Sequence, residues 1–351
     1  MSWLANRKKS LRPAARQLKF MFNRDPAIVP EKNWRSFIKE PYEAVVIFSA
    51  DFELAWAWRY TKSSPDPLKK TLDKARTERE NMPLILDLCD RYKIPVTWLT
   101  VGHLFLDSCT PEGMVHHASM PRPGQFENDW WRFGGKDWYE YDPGSDYKAN
   151  PLWYAPDLVK NILGSPVEHE VGCHTFSHID CREEVCTTEL FDAELRASLE
   201  AASRHGIASM ESFVHPGHTI GHLDDLYRHG YTNFRTDYRN TLGFPVHHPS
   251  GLWEFSTSLE FEYVQGWSEK MQLERFLRTF RRALKNHSMA YTWFHPSMNP
   301  YMVQKVMPKV FEWLDEHRNR IWIVTQGEYI QWLNSNSKKP VQSQGHQTKE
   351  S

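Results

Sequence analysis

The chain has 351 residues, with 43 Lys and Arg against 44 Asp and Glu and a formal net charge of −1. Such a balance gives no basic field for a nucleic-acid partner, and the length allows one large domain or two. No apolar run reaches the roughly 20 residues of a membrane span, and the basic N-terminus lacks a signal-peptide core, so a cytoplasmic protein is expected.

In chain order, residues 1–40 read as a basic extension. Arg7, Lys8, Lys9, Arg12, Arg16, Lys19 and Arg24 occur there without an acidic residue up to Arg24. Leu11, Ala15, Leu18 and Phe22 share one helical face. A peripheral membrane contact through this segment and a helix packed on the main domain both fit. Residues 41–333 read as the main domain. "AVVIFSA" (Ala44–Ala50) predicts a buried strand, and the spacing over 68–92 a helix. "PVTWLT" (Pro95–Thr100) and "EVGCH", ending at His174, predict further strands. A helix capped by Thr188 and closed by Gly206 follows. "SFVHP", "YTNFRT" and "GLWEFS" predict strands, then come a helix at 268–286, the strand "AYTWFHP", a helix at 304–317 and "IWIVTQ". Strands alternating with helices argue for parallel βαβ units, and seven or eight of them suit a distorted (β/α)7-type α/β barrel. Residues 121–156 break the pattern with turn residues and aromatics, as a functional insertion would. Residues 334–351 are polar and predict a disordered tail.

A parallel barrel gathers its active residues at the C-terminal ends of its strands. "SADFE" puts Asp51 and Glu53 there, "HTFSH" puts His174 and His178 there, and "WFHPSMN" puts His295 there. Seventeen histidines give about one pair at i,i+4 by chance, so the spacing of His174 and His178 proves nothing by itself. Their concentration at strand ends is the stronger sign. Two imidazoles and a carboxylate can hold a divalent ion with open positions, His174 and His178 sharing the face of a helical turn. Asp51 and Glu53 share one side of a strand, so one could bind the ion and the other hold a proton. An ion lowers the pKa of bound water to about 7, and His295 could serve as general acid. These parts suit hydrolysis of an amide or ester. His215, His218 and His222 form a rival cluster, either a second metal site or a polar loop turned by Gly217 and Gly221. His215 and His218 are also candidates to line a substrate pocket. Trp130, Trp131, Trp138, Tyr139 and Trp153 offer flat apolar faces to a sugar. Cys89, Cys109, Cys173, Cys181 and Cys186 match no zinc-ribbon or finger spacing and read as reduced thiols.

The ordered set of DxE, HxxxH, a strand ending in FxxP and a late strand ending in His resembles the polysaccharide deacetylase family (NodB-homology, carbohydrate esterase 4). "FSADFELAWAW", "HEVGCHTFSHID", "DWYEYDPGSD", "PLWYAPDLV" and "WFHPSMN" look like its branch with a DFEL first motif. The resemblance spans about residues 42–335. It implies a distorted barrel, one divalent ion (commonly zinc), and removal of an N-acetyl or related acyl group from a sugar or glycan precursor. By position it makes His174, His178 and Glu53 ligands, Asp51 the base and His295 the general acid. The family's third motif carries an arginine that pairs with the base, whereas this chain has "FVHPGH"; Arg235 in "FRTDYR" could substitute. Competing readings are a deformylase or cyclic-amide hydrolase on the same fold, and a degenerate carbohydrate-binding protein. The oligomeric state is left open.

Overall fold

The computed structural model describes residues 25–237 and 240–336. The helical face expected up to Arg24, the membrane contact suggested for it, and the tail beyond 336 lie outside the described residues. Within the described residues no helix is long and apolar enough to cross a membrane.

The sheet is built around β1 (Ala44–Phe52), all nine residues of which are buried. It pairs in parallel with β2 (Thr97–Thr100), which continues through β3 (Glu170–Cys173), β4 (Ser212–Val214), β5 (Asn233–Thr236) and β6 (Trp253–Ser256). The chain past β6 runs directly into β7 (Leu259–Glu260), which pairs with β8 (Met289–Phe294), and β8 returns to β1. The first half of this segment therefore bonds to β5 and the second half to β8, so the ring closes. A last strand, β9 (Ile321–Ile323), pairs with the start of β1. The result is the expected distorted α/β barrel.

Helices α1 (Pro67–Tyr92), α2 (Pro156–Leu163), α3 (Thr188–Ser203), α4 (Leu223–Arg228), α5 (Glu269–Lys285) and α6 (Met307–Glu316) follow in order. Among the described residues no helix separates β5 from β6. Thr187, not Thr188, caps α3, its hydroxyl accepting from the Leu190 amide. A helix that the sequence pattern did not reveal, α7 (Gln326–Asn336), extends past the expected start of the tail at Asn334. The described part of the extension packs against the barrel. Phe37 and Ile38 are buried, and Asp25 pairs with Arg278 at 2.6 Å.

Alternation along β1 positions the site. Ala44, Val46, Phe48, Ala50 and Phe52 face the helices, and the Phe48 ring meets Phe280 and Phe311 edge-on. Val45 and Ile47 point the other way and share a second core with Tyr291 and with Tyr329, Ile330 and Leu333 of α7. On that same face come Ser49 and Asp51. The period of two thus carries an inward row from apolar to polar, reaching a carboxylate at the strand's C-terminal end.

Candidate active site

Glu53 lies just past β1, at the head of the 3-10 turn Leu54–Trp56. His174 follows β3 directly. The expected helical turn between His174 and His178 does not form. The segment is an irregular loop in which Thr175 and His178 take φ values of 60° and 59°. Such left-handed residues cost about 1–3 kcal/mol each and persist only where surroundings over-determine them. Here Glu194 of α3 accepts from the Ser177 amide at 2.8 Å and from its hydroxyl at 2.6 Å. Arg59, buried beneath Trp56 and Trp138, donates to the Ser177 carbonyl at 3.0 Å. The Trp138 indole donates to Ser177 Oγ at 2.9 Å. Neither Arg59 nor Glu194 was singled out by sequence, since a lone charge on a turn or helix carries no motif.

This loop brings both imidazoles to one oxygen. Glu53 Oε1 lies 3.0 Å from His174 Nε2 and 3.1 Å from His178 Nε2. His174 Nδ1 is 2.8 Å from the Val214 carbonyl, which can only accept, so the ring's proton belongs on Nδ1. Its Nε2 then faces a carboxylate oxygen, a contact that a proton on Nε2 or a cation between the two atoms would satisfy. Protonating both rings would place two buried charges side by side, and burial presses the His178 imidazole down to about 4. One divalent ion would satisfy all three atoms at once, and the donor set of two imidazoles and a carboxylate suits it. Burial alone would raise the Glu53 carboxyl, but His295, His174 and His178 hold it well below the usual range. The Glu53 amide is anchored to Glu78 Oε1 at 3.0 Å, and burial, with the Glu53 charge beside it, lifts the Glu78 carboxyl to about 8.

Asp51 faces a different partner. Its Oδ2 accepts from Arg235 Nη2 at 2.7 Å, while Arg235 Nη1 donates to Ser49 Oγ at 2.9 Å. Burial opposes ionisation of Asp51, yet Arg235, His174 and His295 outweigh it and hold the carboxyl below its ordinary value. Its second oxygen, Oδ1, is buried without a hydrogen-bond partner. Asp237 sits 3.1 Å from His218. His295 completes the group, with Nε2 3.7 Å from Glu53 Oε2 and Nδ1 3.6 Å from Glu260 Oε1. Burial would depress this imidazole, but the Glu53, Glu260 and Asp51 carboxylates raise it to about 9. A cation held by Glu53 would offset part of that field.

Two crystal structures assigned as polysaccharide deacetylases superpose on this barrel. The one from Mycobacterium smegmatis gives a TM-score of 0.58 at 11% identity, covering 92% of this chain and all of its own. The one from Pseudomonas aeruginosa gives 0.58 at 11%, covering 85% of this chain and 94% of its own. The chain has the polysaccharide deacetylase fold. Puue allantoinase shares it, with a TM-score of 0.57 at 11% identity over 86% of this chain and 94% of its own. No family model and no curated protein matches the sequence.

On this deacetylase fold a cavity of about 540 Å³ opens above Asp51, Glu53, His178 and His295. That volume suits a small ligand or one sugar unit of a larger one. Its aromatic wall is Trp58, Trp130, Trp131 and Trp293. Gly217 has φ 55°, and a Cβ there would lie 2.8 Å from the Trp131 ring, which itself packs edge-on at 5.1 Å from His178. Trp58 and Trp293 escaped the sequence reading because they stand outside the aromatic-rich insertion.

Three expected sugar platforms are elsewhere. Trp138, Tyr139 and Trp153 are buried and line no part of this cavity. Tyr139 donates to Glu194 Oε1 at 3.2 Å, and Trp153 packs edge-on against Trp56 at 5.3 Å. They brace the histidine loop from behind. Trp138→Ala is therefore expected to cost about 3–5 kcal/mol of stability. Trp130, 59% exposed at the mouth, should when changed to alanine raise KM with little effect on thermal melting. Melting curves and steady-state kinetics of the two variants check this, and the reverse pattern would exchange their roles.

The rival histidines do not converge among the described residues. His215 is buried with Nε2 3.0 Å from the Gly221 carbonyl, off the cavity. His222 lies between Asp225 at 3.1 Å and the Cys186 carbonyl at 2.9 Å. His218 alone reaches the cavity, its imidazole pressed to about 3 by burial and the Arg235 charge.

Proposed function

We propose that this protein is a divalent-ion-dependent hydrolase that removes an N-acetyl or related acyl group from a sugar or glycan precursor. The observation that carries this reading is the meeting of Glu53 Oε1 with the Nε2 atoms of His174 and His178, beside an Arg235-held Asp51. Glu53, His174 and His178 would hold the ion, zinc by donor set, which when bound would supply Lewis-acid activation of water and of the amide carbonyl. Asp51 takes the proton of the attacking water on its open Oδ1, and Arg235 keeps it ionised and oriented. As the C–O bond forms and the C–N bond breaks, the amine nitrogen needs a proton, because its anion is a poor leaving group. His295 donates it. Ligand atoms of Asp51, Glu53 and His295 all lie within 4.8 Å of one another, so acceptor and donor can flank a single acyl group. The aromatic wall gives the sugar's CH faces a surface. All five cysteines are unpaired and buried, which supports a cytoplasmic setting and hence a precursor substrate.

The superposition on Puue allantoinase favours a second reading, hydrolysis of a cyclic amide. Metal-loaded protein should be screened for acetate and formate release over N-acylated sugars, including nucleotide- and lipid-linked ones, beside ring opening of cyclic amides. Acetate release supports the proposal. Formate alone moves the acyl group, and ring opening without either acid moves the substrate class. Absence of all three supports a binding protein without catalysis.

A further inference from the structure

The described residues contain another cluster with metal-ligating chemistry, at the root of the aromatic insertion. His103 lies in the turn Gly102–Phe105 immediately after β2. Cys109 and His117 follow on the next loop, and Asp142 comes from the insertion. Donor atoms of these four side chains all lie within 4.8 Å of one another. None lines the cavity above Asp51 and Glu53.

We propose that His103, Cys109, His117 and Asp142 form a second, structural site for a divalent transition-metal ion. Two imidazoles, a thiolate and a carboxylate make the mixed N, S and O set of a closed zinc site. The decisive observation is His103. Its side chain is fully buried, and neither ring nitrogen has a hydrogen-bond partner. Buried polar groups are paired in the great majority of cases, and each orphan costs about 1–3 kcal/mol. His103 Nε2 is aimed into the cluster, 3.3 Å from Asp142 Oδ2 but without hydrogen-bond geometry. His117 Nε2 is 2.8 Å from that same oxygen. The other carboxylate oxygen is already engaged, accepting from the Tyr154 hydroxyl and from the Gly144 amide at 3.1 Å. Asp142 is thereby held with Oδ2 toward both imidazoles, as a ligand oriented by its outer partners is. Packing rings of Trp56, Tyr154 and Phe176 at 4.2, 5.3 and 5.2 Å enclose the His103 ring and keep water away. An ion here takes up the Nε2 lone pairs and the Asp142 charge together.

The consequence is mechanical. The ion clips the loop after β2 to an insertion made largely of turns, where few regular hydrogen bonds resist opening. His117 stacks on Tyr139 at 3.8 Å, Tyr139 donates to Glu194, and Glu194 holds Ser177 in the loop of His174 and His178. The structural ion therefore stiffens the catalytic loop without touching substrate. It also gives Cys109, read from sequence only as one of five reduced thiols, the role of a ligand.

The test uses the full chain. Wild type loaded with zinc should carry two ions per molecule by elemental analysis. His178→Ala and Glu53→Ala, which disable the other site, should each keep one. Replacing zinc by cobalt in His178→Ala should give thiolate-to-cobalt absorption, and chelation of that variant should lower its melting temperature. The absorption should vanish in Cys109→Ser. If His178→Ala and Glu53→Ala bind no ion and show no such absorption, the site does not exist. If the absorption survives in Cys109→Ser, the ion sits on another cysteine and the assignment is wrong. These readouts require no activity, so they stand or fall apart from the proposed reaction.

Discussion

Asp51→Asn should keep its divalent ion and lose turnover by about 10²–10⁴, the usual worth of a general acid or base. Glu53 Oε1, not Asp51, meets both imidazoles, at 3.0 and 3.1 Å. Asp51 instead has one oxygen on Arg235 and the other open. An amide at this position still fills the space but cannot accept a proton. Glu53→Ala should behave oppositely. Removing the oxygen between His174 and His178 leaves two neutral donors, so binding should weaken severely and activity return in part at high added metal. Elemental analysis beside turnover on the same preparations separates the two. An Asp51→Asn that carries one ion fewer than wild type, with an inactive Glu53→Ala that keeps the full complement, would exchange the roles.

Arg235→Met should keep the ion and shift the acid limb of kcat/KM to higher pH. Asp51 is held below its ordinary value against burial, with Arg235 the foremost opposing influence. Removing the guanidinium lets burial raise the carboxyl, so the base form is lost at a higher pH than in wild type. The stability effect has the same origin. A depressed carboxyl contributes stability above its unfolded value, and that stability is lost as pH falls through the folded value. Breaking a buried pair at one partner costs about 3–5 kcal/mol, because the remaining charge is uncompensated. The loss should be largest at neutral pH and shrink in acid, where Asp51 is protonated in both forms. Arg235→Lys should recover charge but not the second bond to Ser49, now made at 2.9 Å. A pH profile unchanged in Arg235→Met would mean that Asp51 is not the titrating base. Arg235 would then support the barrel wall beneath Trp293, over whose ring it lies at 4.5 Å.

By itself the sequence determined the barrel and the contents of its upper rim. The apolar runs and helical periods are local, and they fixed β1, α1, α3 and β8 to within a few residues. Residues at the ends of parallel strands must share one rim, so Asp51, Glu53, His174, His178 and His295 could be grouped before any contact was known. Contacts between remote residues depended on three-dimensional closure. Arg235 reaches Asp51 across 184 positions, because β5 curls round to face β1 across the barrel interior. The side on which an aromatic falls in an irregular insertion follows no period. Trp130 therefore reached the cavity while Trp138, Tyr139 and Trp153 went to the core, where the Trp138 indole finds Ser177 and the Tyr139 hydroxyl finds Glu194. His103, Cys109 and His117 have no familiar metal spacing, and their fourth member, Asp142, comes from the insertion. Local pattern encodes period and turn; convergence of side chains from separate loops is decided by how the barrel closes and how the insertion packs upon it.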